Sequence, residues 1–300
     1  MILPDLAELV ALRGSAHGLS LHARRPALAR LLGGHRSAQR GRGLEFEEVR
    51  RYTPGDDARN IDWRVTARRG QPHTKLFREE RERPVWLLAD LHPGLFFGSR
   101  RQLKSALLLR SAALLAWGAV LGGDRLGAVI GNGHGQPMVF PPRSREAGVL
   151  PVLEALVEAQ PRAPGEPGGE GLGEILATLR PLLQPGSLVL ALSDFCRLDE
   201  PAESSLTSIA SHSDCRLLWL VDPLERAGLP DGRYRVGLPG RLAWLDGERS
   251  RAAWQSQWTA REVRLTGLAQ RLDLPLIRLD TQNPVADMLP PMLREPAWAA

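Results

Sequence analysis

Cysteine is nearly absent from this chain: Cys196 and Cys215 are the only two in 300 residues. A disulfide framework is therefore excluded, and a reducing compartment is expected. No Cys-x-x-Cys pair occurs, so metal binding by these two cysteines is not expected. Lysine is just as scarce. Only Lys75 and Lys104 are present, so arginine supplies 37 of the 39 basic side chains. That is a chain-wide bias more than the mark of a nucleic-acid surface, and aromatics do not interleave with the arginines as base stacking requires. No charged-then-apolar leader opens the sequence, since Met1 runs straight to Pro4, Asp5 and Glu8. The longest apolar stretch, Ala106 to Val120, is broken by Arg110. It falls short of the roughly 20 residues a membrane span needs and is expected to be a buried helix. These absences point to a cytoplasmic protein.

Enzyme signatures are missing too. There is no Gly-x-x-x-x-Gly-Lys-Ser/Thr loop, and Gly131-Asn132-Gly133-His134-Gly135 lacks the final glycine of a dinucleotide fingerprint. No Gly-x-Ser-x-Gly elbow appears, which disfavours an acyl-transfer hydrolase. His35, His73, His92 and His134 have no ligand spacing and read as turn or surface histidines.

What is present describes a globular chain with a real core: 43% of residues are hydrophobic and 24% charged. The net charge of +5 is uneven, with residues 1–83 carrying +6 and the remainder −1. Residues 1–83 are expected to form a small, partly β region, with extended segments at Leu44 to Tyr52 and from Thr74 onward. From Pro84 the pattern becomes alternating strands and helices. Val85 to Asp90, Ser187 to Asp194 and Cys215 to Asp222 are apolar runs that each end in an acid, as strands buried on both faces do. Tyr234, Val236 and Leu238 alternate, Pro239-Gly240 turns, and Leu242 and Trp244 keep the same parity, which reads as a hairpin insertion with these residues on one face. The expected fold is a doubly wound, mostly parallel α/β sheet over residues 84–283, followed by a C-terminal tail at 284–300.

Two clusters carry candidate chemistry. Ligands of open α/β sheets bind beyond the carboxyl ends of the strands, where Asp90, Asp194 and Asp222 are expected. Asp90 either belongs to a cation site or caps a turn or helix. The second cluster is the charged stretch Arg51-Tyr52-Thr53-Pro54-Gly55-Asp56-Asp57-Ala58-Arg59-Asn60-Ile61-Asp62-Trp63. Pro54-Gly55 suits a type II turn. Asp56, Asp57 and Asp62 face a supply of arginines including Arg51 and Arg59, and Trp63 is placed to cover the pairs. The cluster is either a structural brace or a docking surface.

That stretch, together with Gly34-His35-Arg36-Ser37, Gly41-Arg42-Gly43-Leu44-Glu45-Phe46, Thr66-Ala67-Arg68 and Lys75, resembles the bacterial domain-of-unknown-function family 58. The resemblance runs from about Leu12 to Thr281. It implies a von Willebrand factor A-like fold and an interaction module or adaptor acting with a MoxR-type AAA+ ATPase, not a catalyst. Domains of that type hold a metal ion with Asp-x-Ser-x-Ser, a distant threonine and a later aspartate. Asp90 and Asp194 match the two acids, while His92 and Gly94 stand where both serines would be. The resemblance therefore implies a degenerate metal site, with Mg²⁺ bound no tighter than millimolar. Rival expectations are a metal-dependent hydrolase at the strand ends and an arginine-rich nucleic-acid binder.

Overall fold

Continuous apolar runs become central strands because both faces of each strand must be covered. In β3 (Pro84–Asp90) all seven residues are buried. Val85, Leu87 and Ala89 enter one hydrophobic layer, while Trp86 and Leu88 enter the other. The computed structural model describes residues 3–19, 21, 44–53, 58–79, 82–166, 171–238 and 240–293. They fall into two units, one of residues 34–82 and one of residues 1–33 with 83–300.

The smaller unit pairs β1 (Leu44–Arg51) with β2 (His73–Glu79) in antiparallel register, with an irregularity between Phe46 and Glu48. Between them lies α2 (Trp63–Arg69). Asp62 caps its start by accepting from the Arg64 and Val65 amides, and Gly70 ends it at φ 70°, where glycine carries no Cβ penalty.

The larger unit is built on six strands. After β3 come β4 (Arg125–Gly131), β5 (Met138–Arg143), β6 (Leu188–Ser193), β7 (Asp214–Val221) and β10 (Leu276–Asp280). The spatial order is β10-β7-β6-β3-β4-β5, with only β5 antiparallel to its neighbour. Numbered from the first strand of this sheet, that is 3-2-1-4-5-6, the doubly wound arrangement whose strand order reverses between β3 and β6. On one face lie α1 (Leu6–Ala11), α3 (Lys104–Leu121), α4 (Glu146–Ala159) and α9 (Val285–Leu293), which bury Leu9, Leu107, Leu153 and Leu289 among other residues. On the other lie α5 (Leu172–Leu179), α6 (Glu200–His212) and α8 (Gly247–Arg271). There Trp219 and Trp258 stack with centroids 5.1 Å apart. The 18-residue α3 passes a length-and-composition test for a membrane span, but 83% of it is buried in the core.

Three sequence expectations change. The small N-terminal unit ends beside the expected boundary, at residue 82, but starts only at residue 34, because Leu9, Ala16, Leu19 and Leu21 belong to the core of the α/β unit. Trp117 Nε1 also donates to the Leu9 carbonyl at 3.1 Å. The segment expected as a tail from residue 284 contains α9, whose Val285, Met288 and Leu289 are core residues. In the hairpin of β8 (Arg233–Leu238) and β9 (Arg241–Asp246), the tight turn pairs Arg235 with Trp244 and Val236 with Ala243. Even-numbered residues of one strand thus oppose odd-numbered residues of the other. Trp244 and Leu242 therefore share a face with Arg233 and Arg235, not with Tyr234 and Val236.

Candidate functional site

The reversal point between β3 and β6 brings Asp90 and Asp194 to neighbouring strand ends. Both are buried, at 2% and 3% exposure. Asp90 caps neither a turn nor a helix. Its Oδ2 accepts from Ser193 Oγ at 2.6 Å, and burial pushes its carboxyl above the usual carboxylate range. The capping role expected for Asp90 belongs to Asp222. Asp222 accepts from the Leu224 amide and forms a capping box with Glu225 at the start of α7 (Pro223–Ala227). It also accepts from the Ser99 amide at 2.8 Å, Ser99 Oγ at 2.5 Å and Thr281 Oγ1 at 2.5 Å. Burial alone would raise the Asp222 pKa, but these bonds hold it below the ordinary value.

Asp194 has a cation of its own. Lys104, the first residue of α3 and only 3% exposed, places Nζ 2.6 Å from Asp194 Oδ2 and 2.9 Å from Glu225 Oε1. Burial works against both charges, yet the ammonium holds the Asp194 carboxyl well below its usual range. The two carboxylates in turn raise Lys104 above its ordinary value. The residues fit a hard dication poorly. Mg²⁺ wants an octahedron of oxygens, but the ammonium already occupies the acidic pocket and a hydroxyl already bonds Asp90.

Beside this pair lie His92 and Cys196. His92 is not a surface residue; it is 1% exposed. Its Nε2 lies 3.4 Å from Asp194 Oδ1 and 3.8 Å from the sulfur of Cys196. Phe195, between Asp194 and Cys196, adopts φ 51° and turns both neighbours toward His92. The three ligand atoms all lie within 4.8 Å of one another. The trio has the composition of a nucleophilic triad but not its geometry. The acid and the thiol share one imidazole nitrogen, so the acid cannot orient the base from the far side of the ring. Burial and Asp194 also push the Cys196 thiol far above its usual range, the opposite of an activated nucleophile.

The charged corner lies in the smaller unit. Asp62 serves as a helix cap, Tyr52 is half-buried, and Arg51 and Arg59 are exposed. Trp63 is 71% exposed, so most of its ring faces solvent and not a neighbour. Asp56, Asp57, His35 and the Pro54-Gly55 turn lie outside the described residues. Sequence reasoning missed Lys104, Ser193, Glu225, Ser99 and Thr281. Only Lys104 left a signal: one of two lysines in an arginine-rich chain, at the mouth of an apolar helix.

The chain is similar to several known proteins. Proteins of Mycobacterium tuberculosis and Mycobacterium bovis, both described as uncharacterized, are 34% identical over 203 residues, covering 67% of this chain and 62% of their own length. The chain thus spans less than two thirds of the curated relatives it matches. Similar solved structures include the conserved hypothetical protein BatB from Bacteroides thetaiotaomicron (TM-score 0.42, 13% identity, 70% of this chain and 97% of that one). Others are an aerotolerance-related membrane protein from Bacteroides fragilis (0.44, 15%, 70% and 98%) and a von Willebrand factor type A protein from Catenulispora acidiphila (0.41, 10%, 74% and 43%). The fold itself is a doubly wound, mostly parallel α/β sheet. Residues 48–263 match the model of the family described as protein of unknown function DUF58, and the chain belongs to that family.

Proposed function

We propose that this chain is a non-enzymatic docking module that works with a MoxR-type AAA+ ATPase. The observation that carries the reading is the internal use of the strand-end acids. Asp194 is held by Lys104, Asp90 by Ser193, and Asp222 by Ser99, Leu224 and Thr281. A general acid or base must reach a substrate proton, and these carboxylates are turned inward. The β8–β9 hairpin offers a recognition surface instead. Trp244 is 64% exposed and Leu242 50%. The guanidinium carbons of Arg233 and Arg235 stand 5.8 and 6.0 Å from the Trp244 ring centroid. Tryptophan and arginine are the residues that dominate binding energy at interfaces. The test is sedimentation of the purified chain with the purified MoxR-type ATPase of the same genome. A complex is expected, weakened about 30-fold or more in Trp244→Ala, as loss of a ~2 kcal/mol anchor requires. Failure to form it would reject the ATPase partnership, and a hydrolytic activity lost in Asp194→Asn would reject the non-enzymatic reading.

A further inference from the structure

We infer that His92, Asp194 and Cys196 form a binding site for a zinc-class divalent cation, clipping the loop after β3 to the loop after β6. The inference stands apart from any ATPase partner. It begins with His92, which is buried at 1% exposure yet makes no hydrogen bond of ordinary length. Nε2, the nitrogen that an ion between Asp194 and Cys196 would meet, has only the 3.4 Å and 3.8 Å approaches to Asp194 Oδ1 and Cys196 Sγ; Nδ1, the other ring nitrogen, has no partner and takes no part in the site. Good nitrogen–oxygen hydrogen bonds lie near 2.9 Å, and a buried polar group left unpaired is costly. The spacing that is poor for hydrogen bonds suits a metal. With Zn–N and Zn–O near 2.1 Å and Zn–S near 2.3 Å, a tetrahedral ion separates nitrogen from oxygen by about 3.4 Å and nitrogen from sulfur by about 3.6 Å. The observed 3.4 and 3.8 Å match within a few tenths of an ångström.

The donor set is imidazole, thiolate and one carboxylate oxygen, which selects zinc-like ions over Mg²⁺. Lys104 holds the other carboxylate oxygen, Oδ2, at 2.6 Å; Oδ1 accepts from the Cys196 amide at 3.0 Å and turns its remaining lone pair toward His92 and the Cys196 sulfur. Cys196 is exposed as a residue while its sulfur is part-buried against His92, which places the site just beneath the surface. On binding, the sulfur–metal bond replaces the S–H bond, the proton leaves to the buffer, and water fills the fourth position.

Cobalt(II) is the probe, because a thiolate ligand gives it an intense near-ultraviolet charge-transfer band and tetrahedral geometry a strong visible one. The full chain is expected to bind one Co²⁺ with both bands, which Zn²⁺ then bleaches. Cys196→Ser should lose the charge-transfer band and bind more than about tenfold more weakly, while Cys215→Ser keeps both. Zn²⁺ should raise the melting temperature of the unmodified chain and of Cys215→Ser but not of Cys196→Ser. The inference is overturned by a weak octahedral spectrum, by a charge-transfer band that survives in Cys196→Ser, or by no cobalt signal from a folded chain.

Discussion

Replacing Lys104 with methionine keeps an unbranched apolar stem, one heavy atom shorter, and removes the charge. In the native protein the ammonium lies 2.6 Å from one carboxylate and 2.9 Å from another. At an effective dielectric of about 20, each contact carries roughly 6 kcal/mol of attraction. Desolvating buried ions costs several kcal/mol apiece, so the intact cluster contributes little net stability. The broken cluster is another matter. Lys104→Met leaves Asp194, at 3% exposure, without its cation, and the expected loss is about 3–5 kcal/mol. Urea unfolding at neutral pH measures it. Adding Asp194→Asn removes the stranded charge, so the double variant should lose less than the two single variants together. The pH profile follows from the same pair. The folded Asp194 carboxyl is depressed, so its contribution is present above the usual carboxylate range and fades as pH falls through the depressed value. The folded Lys104 is raised, so its contribution is intact below the usual lysine range and fades only as pH rises through the elevated value. In Lys104→Met both flanks should flatten. A stability change within about 0.5 kcal/mol, the size of an ordinary surface substitution, would refute the argument that this ammonium is the site's cation.

Asp90→Asn should be neutral or stabilising at neutral pH by urea unfolding: the carboxyl is raised by burial, and the amide oxygen still accepts from Ser193. A loss above about 2 kcal/mol, the cost of stranding a buried charge partner, would mean that the charge of Asp90 is needed. Asp222→Ala should cost about 3 kcal/mol or more by the same assay. It removes a helix cap worth about 1 kcal/mol, breaks the bonds from exposed Ser99 and strands the buried hydroxyl of Thr281; a cost under 1 kcal/mol would show that water replaces the carboxylate freely. Trp63→Ala should shift stability by less than about 0.5 kcal/mol, as at any exposed position. A large loss would restore the brace reading that its 71% exposure argues against.

The sheet is legible in the sequence because its cause is local. A strand covered on both faces must be apolar throughout, so Val85 to Ala89, Leu188 to Leu192 and Leu217 to Val221 announce themselves, and each acid that follows marks a strand end. The N-terminal helix is less legible, because six residues with one buried leucine, Leu9, look alike whether they dock on the α/β core or elsewhere. The hairpin shows how a correct element can carry a wrong face: alternation reveals the strands, but the pairing across a two-residue turn decides which residues look outward.

The site is the least legible part, and the reason is chain separation. Lys104 and Asp194 are 90 positions apart, and His92 and Cys196 are 104 apart. Motif reasoning reads short spacings, so it sees four unrelated residues. What composition does reveal is a contrast between the two cations. Where a surface needs only positive charge, arginine serves, and this chain uses it 37 times. A planar guanidinium with five donors spread over a wide fork does not fit where two carboxylates converge on one point inside a core. A compact ammonium on a flexible stem does. In an arginine-rich chain, a lone lysine at the head of an apolar helix therefore marks a place where size and donor geometry matter as much as charge. That inference needs no alignment, and it locates the interior cation that strand periodicity and metal-ligand spacing both overlook.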